Sequence, residues 1–259
     1  GDYNHREAPR MSRTNSDANL DSHLPKCRWL VFDAVGTLID PHPAVAAAYH
    51  AVGSRFGTRY SIAEVDQRFR AAFRFSESEG FPGGLVGAPW TTSDDIERAR
   101  WRWIVQDVFP DVHDLENCFH ELWKHFAQPA SWRCFGDVEE TLTQLSTLGY
   151  RLAIASNFDC RLHPVCAGLP ALKPIELRIV SAGVGYRKPA PEFYRALVAA
   201  CDCQPSEILM IGDDFTYDVA AARAAGLQAL HLDRKSQVSE IGAISSLTQM
   251  AKLLDHSAC

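Results

Sequence analysis

Four short stretches carry residues able to do chemistry together: Asp33 in FDAVGTL, Ser156 and Asn157 in IASNFD, Lys188 in YRKPAPEFY, and Asp213, Asp214 and Asp218 in IGDDFTYD. An aspartate that attacks a phosphate dianion must overcome like-charge repulsion, so it needs a divalent cation and a lysine to neutralise the oxygens. Asp213 is the residue to share Mg²⁺ with Asp33, because that hard cation is held by one or two carboxylates together with substrate phosphate. Lys188 supplies a compact positive charge beside the nucleophile or the transferring group. Ser156 offers a hydroxyl to a phosphoryl oxygen, and Asp218, a helical turn past the paired aspartates, orients Lys188 or a water at the metal.

Each of these residues also has a plain structural reading. A lone aspartate after a strand caps a turn, and only the company of Lys188 and Asp213 favours Asp33 as a nucleophile. Thr37 either touches the phosphate or caps the turn, and Asn157 either lines the site or holds its loop. Asp214 reads equally as a turn residue, and Asp218 as an acid favoured at a helix start.

The elements around these stretches decide whether they can meet. The apolar run 30–32 delivers Asp33 to a turn containing Gly36, which is how a buried parallel strand presents a carboxylate at its C-terminal edge. Helical patterns then follow at 44–56, at 61–78 with a Ser61/Glu64 capping box, from 92 or 93 to 109, and at 115–127. The Gly- and Pro-rich segment 81–89 reads as a loop. Four helices with no strand between them make a helical insertion over 42–130. From 137 the pattern alternates: helix 138–148, strand 151–155, strand 177–181, helix 191–201, strand 208–211, helix 216–225, strand 228–232 and helix 247–255. Strands alternating with helices of this length imply an α/β fold with a doubly wound, Rossmann-like parallel sheet, built from 28–41 and 131–259.

Composition narrows the partners. The chain has 259 residues and a net charge of −6, which gives no basic footprint for nucleic acid and favours a small-molecule partner. No apolar stretch is long enough to span a membrane, and no signal pattern opens the chain, so a cytoplasmic protein is expected. The eight cysteines lack zinc-like spacing and read as free thiols. Residues 1–27 are polar, with almost no large apolar side chain, and are expected to be disordered. Trp90, Trp101, Trp103, Trp123 and Trp132 are expected in the core of the helical insertion. Arg98, Arg100, Arg161 and His163 are expected as solvated charges, and His42 and His50 as structural residues.

The four motifs in this order, with a helical insertion after the first, resemble the haloacid dehalogenase (HAD) superfamily over nearly the whole chain from Arg28 onward. FDAVGTL, SNFDCRL, GVGYRKPAPEFY and IGDDFTYDVAAARAAG look most like the branch of the rhythmically expressed gene 2 protein. The resemblance implies a Mg²⁺-dependent phosphatase acting on a small phosphorylated metabolite through an aspartyl-phosphate on Asp33. It makes 42–130 a helical cap over the site, and it assigns the backbone carbonyl of Val35 to the metal beside Asp33 and Asp213.

One position departs from the pattern. Phosphatases of the superfamily usually carry a second aspartate two residues after the nucleophile, as general acid and base, and here that residue is Val35. Its absence forfeits a factor of roughly 10² to 10⁴ on poor leaving groups. Two alternatives follow: a 2-haloacid dehalogenase, whose halide leaves without a proton, and a weakly catalytic binding or regulatory protein. The acids at 213 and 214 weigh against the dehalogenase, since they would repel its carboxylate substrate.

Overall fold

A computed structural model describes residues 27–78, 80–82, 90–235 and 243–256. All but Cys27 of the polar segment expected over 1–27, and residues 83–89 of the loop expected over 81–89, lie outside them. Strand β1 (Trp29–Phe32) is buried at every residue. Its alternate side chains explain the unbroken apolar run: Leu30 and Phe32 enter one apolar cluster, while Trp29 and Val31 enter another on the opposite face. A short strand β2 (Ile39–Pro41) leads into helices α1 (Val45–Arg55), α2 (Ile62–Ser78), α3 (Asp94–Val108) and α4 (Leu115–His125). Strand β3 (Trp132–Cys134) follows, then α5 (Val138–Thr147), β4 (Arg151–Ser156), α6 (Leu162–Ala167), β5 (Leu177–Val180), α7 (Ser181–Val184) and α8 (Pro191–Cys201). The chain ends through β6 (Ile208–Gly212), a wide π-type turn over Phe215–Ala220, α9 (Ala221–Ala224), β7 (Gln228–Leu232), β8 (Ala243–Ile244) and α10 (Leu247–His256).

Six strands form one parallel sheet in the order β5-β4-β1-β6-β7-β8, with helices on both faces. The order reverses at β1, whose neighbours β4 and β6 both come later in sequence. That reversal opens a crevice at the C-terminal ends of these three strands. Asp33 directly follows β1, Ser156 ends β4, and Asp213 directly follows β6. Sheet topology alone therefore gathers three residues that are up to 180 positions apart in the sequence.

Helices α1 to α4 pack around an apolar cluster of their own that includes Tyr49, Val52, Val65, Ile104, Phe109 and Phe119. Ser61 and Glu64 make the expected reciprocal cap: the Ser61 N–H donates to Glu64 at 2.8 Å, and the Glu64 N–H donates to the Ser61 hydroxyl at 3.3 Å. The antiparallel ribbon β2–β3 was not legible as strand. It pairs Ile39 with Cys134 and Pro41 with Trp132, so the chain leaves for the helices and returns through neighbouring strands. Three residues per strand, one of them proline, are too few to show a period. Among the described residues no helix is long and apolar enough to cross a membrane.

Candidate active site

Lys188 is the hub. Its ammonium donates to Asp33 Oδ1 at 2.9 Å, to Asp218 Oδ1 at 2.6 Å and to the Ala155 carbonyl at 3.0 Å. Three donors meet three acceptors, so a 2 %-exposed cation is held at one point without an unsatisfied proton. Burial opposes the charge, but Asp218 and Asp33 beside it hold the ammonium well above the usual lysine range. The backbone of Lys188 is fixed as well. Its N–H donates to Asn157 Oδ1 at 2.7 Å, and Asn157 Nδ2 donates back to its carbonyl at 3.0 Å. Both polar atoms of the Asn157 side chain are thus engaged in holding the lysine loop to the end of β4. These bonds give its side chain the loop-holding role, and Asn157 also lines the cavity above Asp33.

Asp33 is anchored by its N–H, which donates to the Ile211 carbonyl of β6 at 2.8 Å. Because Oδ1 faces Lys188, Oδ2 is the oxygen left for other partners. Ligand oxygens of Asp33, Asp213 and Asp218 lie within 4.8 Å of one another. Three carboxylates thus face one ammonium, and the site by itself carries excess negative charge. Burial and the neighbouring Asp33 push the Asp213 carboxyl up to about 6, even though it opens onto the cavity.

The hydroxyl of Thr37 has a partner that neither expectation named. The residue is fully buried and donates to Asp213 Oδ1 at 3.2 Å, so it orients an acid. Asp214 behaves as a turn residue, accepting from the Tyr217 N–H at 2.9 Å. Its own N–H donates to Asp218 Oδ2 at 3.2 Å, which leaves Asp218 Oδ1 for Lys188.

Close packing around these acids has a measurable consequence. A Cβ on Gly212 would lie 2.1 Å from Asp218 Oδ2 and 2.5 Å from its Cβ. Gly212→Ala is expected to displace the buried Asp218 and with it Lys188, costing about 1–3 kcal/mol as overpacking does. Urea unfolding measures that loss, and a variant as stable as the parent contradicts this geometry.

A cavity of about 380 Å³ lies above Asp33 and Val35. Ser156, Lys188 and Asp213 line its floor, and aromatic rings from α1, α2, α3 and α4 line its walls. Trp101, Trp123 and Trp132, expected as core, face this cavity. Arg100 and Arg161, expected as solvated, are 4 % and 7 % exposed. Arg161 grips both oxygens of Asp159 at 2.8 and 2.7 Å and stacks 3.5 Å from the Trp123 ring centre. Arg100 pairs with Glu97 and Glu77, and Glu77 also accepts from Arg187, the residue before Lys188, at 2.6 Å. Sequence reasoning overlooked Arg187; its position in YRKPAPEFY beside Lys188 was the available signal. Among the described residues no histidine lines the cavity, and no cysteine is in a disulfide.

The sequence profile of haloacid dehalogenase-like hydrolases matches residues 27–226. The chain belongs to this family. Among its HAD relatives, the haloacid dehalogenase-like hydrolase domain-containing protein 3 of Danio rerio is 27 % identical over 218 residues, covering 80 % of this chain and 86 % of the relative. The rhythmically expressed gene 2 protein of Drosophila melanogaster is 26 % identical over 230 residues, covering 82 % and 85 %, which agrees with the branch that the motifs resemble. The HAD fold is matched in solved structures, among them the L-2-haloacid dehalogenase of Xanthobacter autotrophicus. That structure has a TM-score of 0.66 at 17 % identity and covers 88 % of this chain and 98 % of its own.

Proposed function

We propose that this HAD hydrolase is a Mg²⁺-dependent phosphomonoesterase that forms an aspartyl-phosphate on Asp33. The observation that carries the reading is the convergence of Asp33, Asp213 and Asp218 within 4.8 Å around a single ammonium. A dehalogenase substrate brings a carboxylate, which three acids repel. A phosphate with a hard divalent cation balances them.

The residues present fit such a cation. Oxygen donors are the right type, Asp33 and Asp213 are free of any lysine on at least one oxygen, and among the described residues no hydrogen bond is donated to the Val35 carbonyl. When bound, the cation withdraws charge from the phosphoryl oxygens and lets an anionic nucleophile approach. The chain's residues do the rest. Asp33 Oδ2 attacks phosphorus, Lys188 fixes the other oxygen and its charge offsets the transferring group, and Ser156 donates to a phosphoryl oxygen. Asp218 keeps Lys188 in place, and the helices over 42–130 act as the cap that excludes water.

Phosphate release from metabolite and acyl phosphates, with Mg²⁺ and with EDTA, tests this. Release is expected only with Mg²⁺; release that survives EDTA, or dechlorination of chloroacetate that does, overturns it. Binding has its own signature. A group whose folded-state carboxyl is raised takes up a proton as pH falls through that value, so Asp213 loses its charge below about 6. At pH 7.5, Mg²⁺ at about 100 times Kd is expected to stabilise the fold by about 2.7 kcal/mol, and thermal unfolding should show this gain fading below pH 6.

A further inference from the structure

Two features of the site point the same way about what leaves when the phosphate is transferred. The first is the wall of the cavity. Tyr49, Phe69, Trp101, Trp123, Phe126 and Trp132 enclose the space above Asp33. Several brace one another: Tyr49 and Phe69 meet edge to face at 4.9 Å, and Phe126 and Trp132 at 6.1 Å. Braced rings present faces and edges to a guest without losing side-chain freedom, which suits another flat ring. The cavity's arginines do not offer a second anion site. Arg161 pairs with Asp159, Arg100 with Glu97 and Glu77, and Arg187 with Glu77 and, at 3.8 Å through Nε, with Glu97, so three guanidiniums are neutralised by three carboxylates although Arg187 Nε keeps no hydrogen-bond partner. A guest bearing a charged group beyond its phosphate would be desolvated there without an uncompensated arginine charge to meet it.

The second feature is Val35. It lines the cavity beside Asp33, and its side chain cannot protonate a departing oxygen. Leaving groups then separate by their own basicity. A phenol of pKa about 10 leaves as its anion far more readily than an alcohol whose pKa is near that of water, about 15.7.

Resting on the phosphatase reading above, we infer that the substrates are aryl phosphomonoesters: an uncharged aromatic ring system whose phenolic oxygen carries the phosphate. Asp33 Oδ2 bonds to phosphorus as the bond from phosphorus to the aryl oxygen breaks, and the electron pair departs on the phenolate, which takes a proton from water. A water molecule then cleaves the bond between phosphorus and Asp33, giving inorganic phosphate and the free carboxylate. Overall, one water supplies the proton of the phenol and the hydroxyl of the phosphate.

Three substrates separate the two features in the Mg²⁺-loaded protein. 2-Naphthyl phosphate has the ring and the good leaving group, 2-naphthylmethyl phosphate has the ring with an alcohol, and acetyl phosphate has a good leaving group without a ring. Naphthyl phosphate is expected to exceed the naphthylmethyl ester in kcat/KM by at least about 100-fold, the size of a missing general acid. Acetyl phosphate is expected to be turned over with a KM at least about tenfold higher. In Val35→Asp the advantage over the naphthylmethyl ester should shrink at least about tenfold. Quenching of tryptophan fluorescence by 2-naphthylmethylphosphonate, which cannot turn over, reads ring binding directly. Equal kcat/KM for the two naphthyl esters, a KM for acetyl phosphate as low as that for naphthyl phosphate, or no quenching overturns this assignment while leaving the phosphatase reading standing. No phosphate from any of the three overturns both.

Discussion

Asp33→Asn is expected to lower phosphate release by at least about three orders of magnitude while the protein stays folded, because the amide has the carboxylate's shape but cannot form the acyl-phosphate. The structure says why the fold should survive. Lys188 keeps Asp218 and the Ala155 carbonyl as acceptors, and the asparagine side-chain oxygen still reaches it. Removing one of three facing acids also relieves the repulsion that helps lift Asp213, so its carboxyl should move down toward the ordinary range. Circular dichroism and thermal unfolding check the fold, and a phosphate assay checks the chemistry. Full release by the variant would remove Asp33 from the reaction.

The second large effect belongs to Lys188. Lys188→Met keeps the length of the side chain and deletes the only ammonium among three acids. Breaking a buried pair by removing one partner costs about 3–5 kcal/mol, because the other charge stays buried without compensation. Two carboxylates are left so here, and Asp218 is 1 % exposed. The loss should depend on pH in a defined direction. Without the ammonium the acids take up protons at higher pH than before, so the variant is weakest above neutrality and regains stability as pH falls toward 5. Urea unfolding across that range measures it, and Lys188→Met combined with Asp218→Asn should recover part of the loss at pH 7.5. A single variant as stable as the parent at that pH would mean that the ammonium compensates nothing.

The parts legible in the sequence were those in which one residue type or one period has one cause. WLVF is an unbroken apolar run because both faces of β1 are covered, so it could be read as a central parallel strand. The sheet then placed Asp33, Ser156 and Asp213 at one edge as topology requires. What stayed hidden depended on contacts across the chain. Thr37 could not be matched with Asp213, 176 positions away, from any local pattern. Arg100 and Arg161 look like surface charges until their carboxylate partners and the rings around them are seen. Trp101 and Trp123 were expected in the core of the helical insertion, but nothing in the sequence shows that the inside on that face is a cavity. The stretch 216–225, expected as one α-helix, opens with the wide turn over Phe215–Ala220, in which Asp214 caps Tyr217 and anchors Asp218.

The ribbon joining Pro41 to Trp132 has a consequence for how such a chain can change. Those two residues already sit opposite each other in register, so a hairpin turn of a few residues would close the sheet body without the helices between them. The helices are therefore a graft with both ends clipped to one stem. Their length and rings can change while β1, β4 and β6 keep the same neighbours, so the cavity can be reshaped without rebuilding the sheet edge that holds Asp33, Ser156 and Asp213.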